Sequence, residues 1–140
     1  MDTAHWEHFE HGADIGVLGV GPTKTEAFIQ AAIAMTAVIT EPELVRPEIR
    51  IDIRCEAPDD ELLFVDWLNA LIFEMSSRNM LFSRFELKLD STHLHGSAWG
   101  ERIDQARHQP TVEIKGATYT TLRVFEDEQH QWHAQTVVDV

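Results

Sequence analysis

Apolar residues change their period several times along the chain, and each change marks an element. Residues 5–10 and 15–20 read as two short strands around the turn His11-Gly12-Ala13-Asp14. Gly21-Pro22 ends the second strand, and Thr23-Lys24-Thr25-Glu26 has the spacing of a capping box. The helix it opens places Ala27, Phe28, Ala31, Ala32, Met35, Val38 and Ile39 on one face at a helical period. Pro42 and Pro47 fence the loop that follows, and Ile49, Ile51 and Ile53 then alternate with charged residues as a strand with one wet face. Pro58-Asp59-Asp60-Glu61 is an acidic helix start, suited to the positive end of the helix dipole. Residues 62–75 are apolar on nearly every side, apart from a stripe of Asp66, Asn69 and Glu74, which predicts a helix buried around most of its circumference.

Beyond residue 80 the pattern is that of strands. Phe82, Phe85, Leu87 and Leu89 belong to one whose irregular start predicts a bulge. Residues 94–99 form a weaker strand, followed by a polar stretch to Pro110. Val112, Ile114, Leu122 and Val124 share strand parity in a long run expected to bend at Gly116, with Glu113, Lys115 and Tyr119 on the other parity. In the last strand Trp132, Ala134, Thr136, Val138 and Val140 line one face, and His133, Gln135, Val137 and Asp139 the other. The order predicts a single α+β domain over residues 1–140, with two α-helices packed on largely antiparallel sheet.

Composition narrows the partners. A chain of 140 residues buries about two-thirds of its unfolded surface as one domain. Its 11 Lys+Arg against 24 Asp+Glu give a net charge of −13, which repels phosphate backbones and disfavours a role in gripping RNA or DNA directly. Such a chain suits a basic protein surface, or the charge serves solubility alone. The single Cys55 excludes an internal disulfide and a cysteine-cluster zinc site, and fits a reducing compartment. Residues 1–6 have neither a basic nor an apolar signal region, and residues 62–75 are too short and too polar to cross a bilayer. A cytoplasmic location without a membrane role is the expectation.

The candidate chemistry lies at the two ends. Asp139 and the α-carboxylate of Val140 sit side by side on the last strand, and Asp14 stands at a strand start between small residues. Three carboxylates make an oxygen-rich site for a hard cation. Asp14 has a blander role available, capping its own turn, and the residues alone favour it. Asp66 is either a solvated stripe residue or a buried carboxylate facing a partner or the metal. Lys115 is either an exposed strand charge or a group reaching a phosphate or an acidic side chain beside the cluster. His5, His8 and His11 do not align on a strand, because their spacing of three puts His8 on the opposite face. His93 and His95 do share a face, a spacing open to zinc that surface strands also carry by accident. No nucleophile elbow, P-loop or dinucleotide fingerprint is present, so the residues do not favour an enzyme.

Taken together, the segments resemble the archease family over essentially the whole chain. The matching stretches are Glu10 to Gly16, Thr25-Glu26-Ala27-Phe28 with Ala34-Met35, and Leu62 to Phe73. They continue with His108, with Pro110 to Tyr119, and with Val137-Val138-Asp139-Val140. One departure is that the family more often has threonine where this chain has Gly12. The resemblance implies an α+β domain of two similar, intertwined halves. It also implies an accessory protein, not an enzyme, that activates a GTP-dependent, metal-requiring RNA ligase of tRNA splicing and RNA repair. Activation there means promoting guanylylation of the ligase's active-site histidine and so restoring multiple turnover. By the family's pattern the metal ligands fall on Asp14, Asp139 and Val140, and Lys115 matches a lysine on which activation depends. Asp66, Glu113 and His11 join Lys115 as residues expected to face the partner. The cation expected is calcium first, then magnesium or manganese, since oxygen donors suit these better than zinc. The competing expectation is a free-standing metal-dependent phosphoester hydrolase using Asp14, Asp139 and a histidine base.

Overall fold

The computed structural model describes residues 4–140; Met1, Asp2 and Thr3, which begin the segment read as lacking a secretion signal, lie outside the described residues. Strands β1 (His5–His11) and β2 (Asp14–Gly21) form a hairpin in the register His11↔Asp14. Its two-residue turn has Gly12 at φ +61°, the left-handed region that glycine enters without a Cβ penalty. The family's more frequent threonine is therefore a poor fit to this turn. Gly12→Thr is expected to cost about 1 kcal/mol by thermal melting through backbone strain alone, since no atom lies within 4 Å of the added Cβ.

Helix α1 (Lys24–Ile39) is capped by Thr23, whose side chain accepts from the Glu26 N–H. Every residue assigned to its apolar face from the sequence is buried. After a short 3-10 turn, β3 (Ile49–Glu56) leads to α2 (Asp60–Arg78), capped by Asp59 at its start and by left-handed Asn79 at its end. The helix runs longer than the apolar stretch, because its acidic first turn and Arg78 in its last turn both complement the dipole. Strands β4 (Met80–Leu89) and β5 (His93–Arg102) follow, with the expected irregularity between Phe82 and Arg84.

Two features depart from the sequence expectation. β5 is not a weak strand but the middle of a three-stranded antiparallel sheet, β3-β5-β4. Its small residues admit the neighbours: a Cβ on Gly100 would stand 1.8 Å from the Leu81 carbonyl oxygen. The long strand expected around Gly116 is instead an irregular stretch, a two-residue β6 (Gly116–Ala117) and a separate β7 (Arg123–Glu126). Residue Thr111 explains part of this, since its N–H donates to Ile39 O at the end of α1 rather than to a strand. A one-turn helix α3 (Gln105–His108) also lies within the polar stretch.

The last strand, β8 (Trp132–Asp139), pairs with β2 on one side and with both β6 and β7 on the other. This gives a five-stranded antiparallel sheet, and both long helices pack against strands of both sheets. The core is thus a helical layer between two sheets, with Trp67, Phe28, Phe64, Phe82 and Met35 fully buried at its centre. Phe28 and Phe64 join the two helices at 5.0 Å between ring centroids. Among the described residues no helix is long and apolar enough to cross a membrane.

A buried polar cluster ties the loops together. Glu101 accepts from the Arg46 N–H at 2.8 Å and from His108 Nε2 at 3.0 Å, and pairs with Arg107 at 2.7 Å. His108 Nδ1 accepts the Asp104 N–H at 2.9 Å, so the ring is the neutral tautomer that donates through Nε2. Burial alone would raise the Glu101 pKa, but hydrogen bonds from Arg107, Arg46 and His108 together outweigh it and bring it down to about 2. A lowered carboxyl pKa contributes stability that is complete above the ordinary glutamate value of 4.5 and is lost as pH falls through about 2. Acid titration of stability by circular dichroism is expected to show stability falling across that window, and Glu101→Gln to make the fall shallower.

Candidate functional site

The register of the five-stranded sheet brings the two ends of the chain to one edge. Ile15 pairs with Val138, so the next position along places Asp14 beside Asp139. Asp139 pairs in turn with Gly116, and Asp14 with His11. His11, Asp14 and Asp139 therefore occupy one row across three strands and share a face. It is the face away from the helices, since Gly19, on the other parity, meets the α1 backbone. Asp14 is half-buried and Asp139 exposed.

Asp14 Oδ1 accepts the Val140 N–H at 3.4 Å, and its second oxygen has no hydrogen-bond partner among the described residues. The carboxylate thus meets the far end of the sequence as well as its own turn. Lys115 lies next to Gly116, and its N–H donates to Asp139 O at 2.7 Å. Its ammonium is exposed and forms no ion pair among the described residues.

Asn69 fixes this edge, a role its place in the polar stripe did not disclose. The Ala117 N–H donates to Asn69 Oδ1 at 2.9 Å, and Asn69 Nδ2 donates to Ala117 O at 3.3 Å. A side-chain amide satisfies both backbone groups of one strand residue, so α2 locks β6 in place across 48 positions of sequence.

The other candidates lie apart. Asp66 is exposed, not buried, and its charge acts on Cys55, whose thiol is pushed up to about 11 by burial first and by Asp66 second. This is the solvated stripe position, on the side of α2 that faces β3. Glu113 is exposed in the irregular stretch before Lys115, where it borders a groove with Ile72, Met75 and Ile114. His8 turns toward α1, with Nε2 at 2.7 Å from Ala34 O, which separates it from His5 and His11 as strand parity requires. His93 lies near Glu56 and Asp90, at 3.5 and 3.6 Å. Among the described residues, no three His, Cys, Asp or Glu side chains gather closely enough to hold a metal, which leaves zinc at His93 and His95 without support.

The Asp14 and Asp139 carboxylates are oxygen donors, the kind that fits a hard cation.

The family model of the archease proteins matches residues 6–140. The chain belongs to the archease family. It is similar to the archease of Pyrococcus furiosus, at 34% identity over 139 residues, covering 96% of this chain and 98% of the relative. The archease of Methanopyrus kandleri is 35% identical, with 96% and 99% covered. Among solved structures, protein 1598 of Methanobacterium thermoautotrophicum superposes with a TM-score of 0.79 at 33% identity, covering 96% of this chain and 98% of that one. An archease of Thermotoga maritima, described as a "possible chaperone", shares the fold with a TM-score of 0.59 at 20% identity, covering 96% of each chain. The archease segments quoted from the sequence coincide with the structural junctions: the β1–β2 turn, α2, the stretch from Pro110 to Tyr119, and β8.

Proposed function

We propose that this chain is an accessory protein that activates a GTP-dependent RNA ligase of tRNA splicing and RNA repair. Activation consists in promoting guanylylation of the ligase's active-site histidine, so that each ligase turns over repeatedly. The observation that carries this reading is the meeting of Asp14, Asp139, Val140 and Lys115 at one sheet edge in a chain of the archease family.

Asp14, Asp139 and the Val140 carboxylate would hold a divalent cation, calcium before magnesium or manganese. Bound there, such an ion supplies positive charge to nucleotide phosphates. The chain's own groups do the rest. Asp14 positions the end of β8 through the Val140 N–H. The Lys115 ammonium reaches a phosphate or an acidic side chain of the partner. His11 borders this edge, while Glu113, at the groove with Ile72 and Met75, and Asp66 on α2 meet the partner further away. The net charge of −13 supports an indirect part in RNA chemistry, with the ligase holding the RNA.

Ligation by the cognate ligase, followed with and without this protein, tests the reading. Multiple turnover only in its presence is the expected result, with less than one archease consumed per joined RNA. Phosphoester turnover by this chain alone would replace the accessory role with the hydrolase reading. Lys115→Met is expected to lower the stimulated rate at least tenfold while changing stability by no more than about 0.5 kcal/mol.

A further inference from the structure

Two aromatic side chains are far more exposed than the other described aromatics, of which Trp6 comes next at 36%. Phe73 is 68% exposed and Tyr119, the only tyrosine, is 70% exposed, while Phe28, Phe64, Phe82 and Phe85 are buried. Single apolar residues on a surface need no explanation, but these two flank the same short segment. Phe73 lies one helical turn beyond Asn69 and therefore on the face of α2 that grips Ala117. Tyr119 stands two residues after Ala117, and Lys115 stands two residues before it, next to Gly116, the residue paired with Asp139.

The backbone beneath is fastened from both directions. Lys115 and Thr118 donate to Asp139 O and Val137 O of β8 at 2.7 and 2.9 Å, and Asn69 holds Ala117 from α2. The Thr120 N–H also donates to Thr118 Oγ1, which fixes the turn that presents Tyr119. The Tyr119 hydroxyl and the Lys115 ammonium, in contrast, form no hydrogen bond or ion pair with the described residues. Rigid backbone under unpartnered side chains is a surface that pays little ordering entropy when it is covered.

We infer that Phe73 and Tyr119 are the apolar anchors through which the ligase partner docks at the segment that carries Lys115; the inference rests on the accessory reading above. The occupant is a protein surface with apolar sockets beside a cationic cleft, because a cleft that binds nucleotide and RNA phosphates is positive and this chain is strongly acidic. The acidic groups steer and the aromatics hold. Exposed ion pairs contribute little to affinity, whereas a few aromatic anchors dominate most interfaces.

Titrating this protein into a fixed amount of ligase separates docking from activation. Phe73→Ser and Tyr119→Ser are each expected to raise the concentration for half-maximal stimulation about tenfold, with an unchanged plateau at saturation. Asp14→Ala is expected to do the reverse, lowering the plateau. Tyr119→Phe, which keeps the ring, is expected to stay close to wild type, and matching melting curves confirm that the serine variants fold. Unchanged half-maximal concentrations in the double variant, or a lowered plateau instead, overturn the docking inference while the accessory reading stands. Absence of any stimulation by the wild-type chain removes the accessory reading itself.

Discussion

Asp14→Ala is expected to abolish activation of the ligase while leaving the fold intact. The side chain makes one long hydrogen bond, 3.4 Å to the Val140 N–H, so truncation removes little packing. Half-burial and an exchange for solvent hold the stability loss to about 1 kcal/mol. The effect on divalent-cation affinity is far larger. Changing groups merely in contact with metal ligands costs 10- to 100-fold, and loss of a ligand is expected to cost about a hundredfold or more. Calcium titration by calorimetry and the stimulated turnover rate should fall together. Adding one residue after Val140 turns the terminal carboxylate into a peptide carbonyl and is expected to act in the same direction. Full activation by either variant would sink the carboxylate assignment, leaving Asp14 as the cap of the turn and of β8.

The largest expected effect on stability comes from Trp67→Ala. Trp67 is fully buried in α2, its Nε1–H donates to Phe28 O at 3.2 Å, and its ring meets Phe85 edge-on at 6.0 Å. One side chain therefore joins both helices to the three-stranded sheet. Truncation removes the transfer term, opens a cavity between layers and loses the extra hydrogen bond to the Phe28 carbonyl, which keeps its partner within α1, for a combined loss of about 4 kcal/mol. That is a large share of the 5–15 kcal/mol typical of a domain. Chemical denaturation should show a lower midpoint with the slope retained. Trp67→Phe, which keeps most of the volume, is expected to cost about half as much.

The elements that were legible in the sequence are those whose signal is local. The period of Ala27 to Ile39 and the alternation of Ile49, Ile51 and Ile53 reflect which face meets the core, and Thr23 and Asp59 cap the helices they precede. The irregular start at Phe82 foretold the break in register. Elsewhere the deciding partner lies far away. The apolar alternation of Val112 and Ile114 imitates a strand, but Thr111 Oγ1 also binds Val38 O, so this stretch follows α1 and not a sheet. Asn69 looked like one member of a polar stripe because Ala117, its partner, is 48 positions away. The Glu101 and His108 pair had no periodicity to reveal it, lying in a stretch legible only as polar. In the site, strand parity correctly excluded the His5, His8 and His11 triplet. Asp66, on a mostly buried helix, was open to a buried reading, and the structure leaves it in solvent.

Both flanks of the five-stranded sheet depend on β8, which comes after every other described element along the chain. Until it emerges, β2 lacks its inner neighbour and β6 and β7 have nothing to pair with. The β1–β2 hairpin and the β3-β5-β4 sheet can form on the nascent chain, yet a whole layer must wait for the eight residues of β8. The same strand carries Asp139 past Asp14, so the candidate ligands first meet only once β8 has paired with β2. A chain stalled before Trp132 has neither a finished sheet nor the carboxylate pair, and cannot present half of the activity by folding halfway.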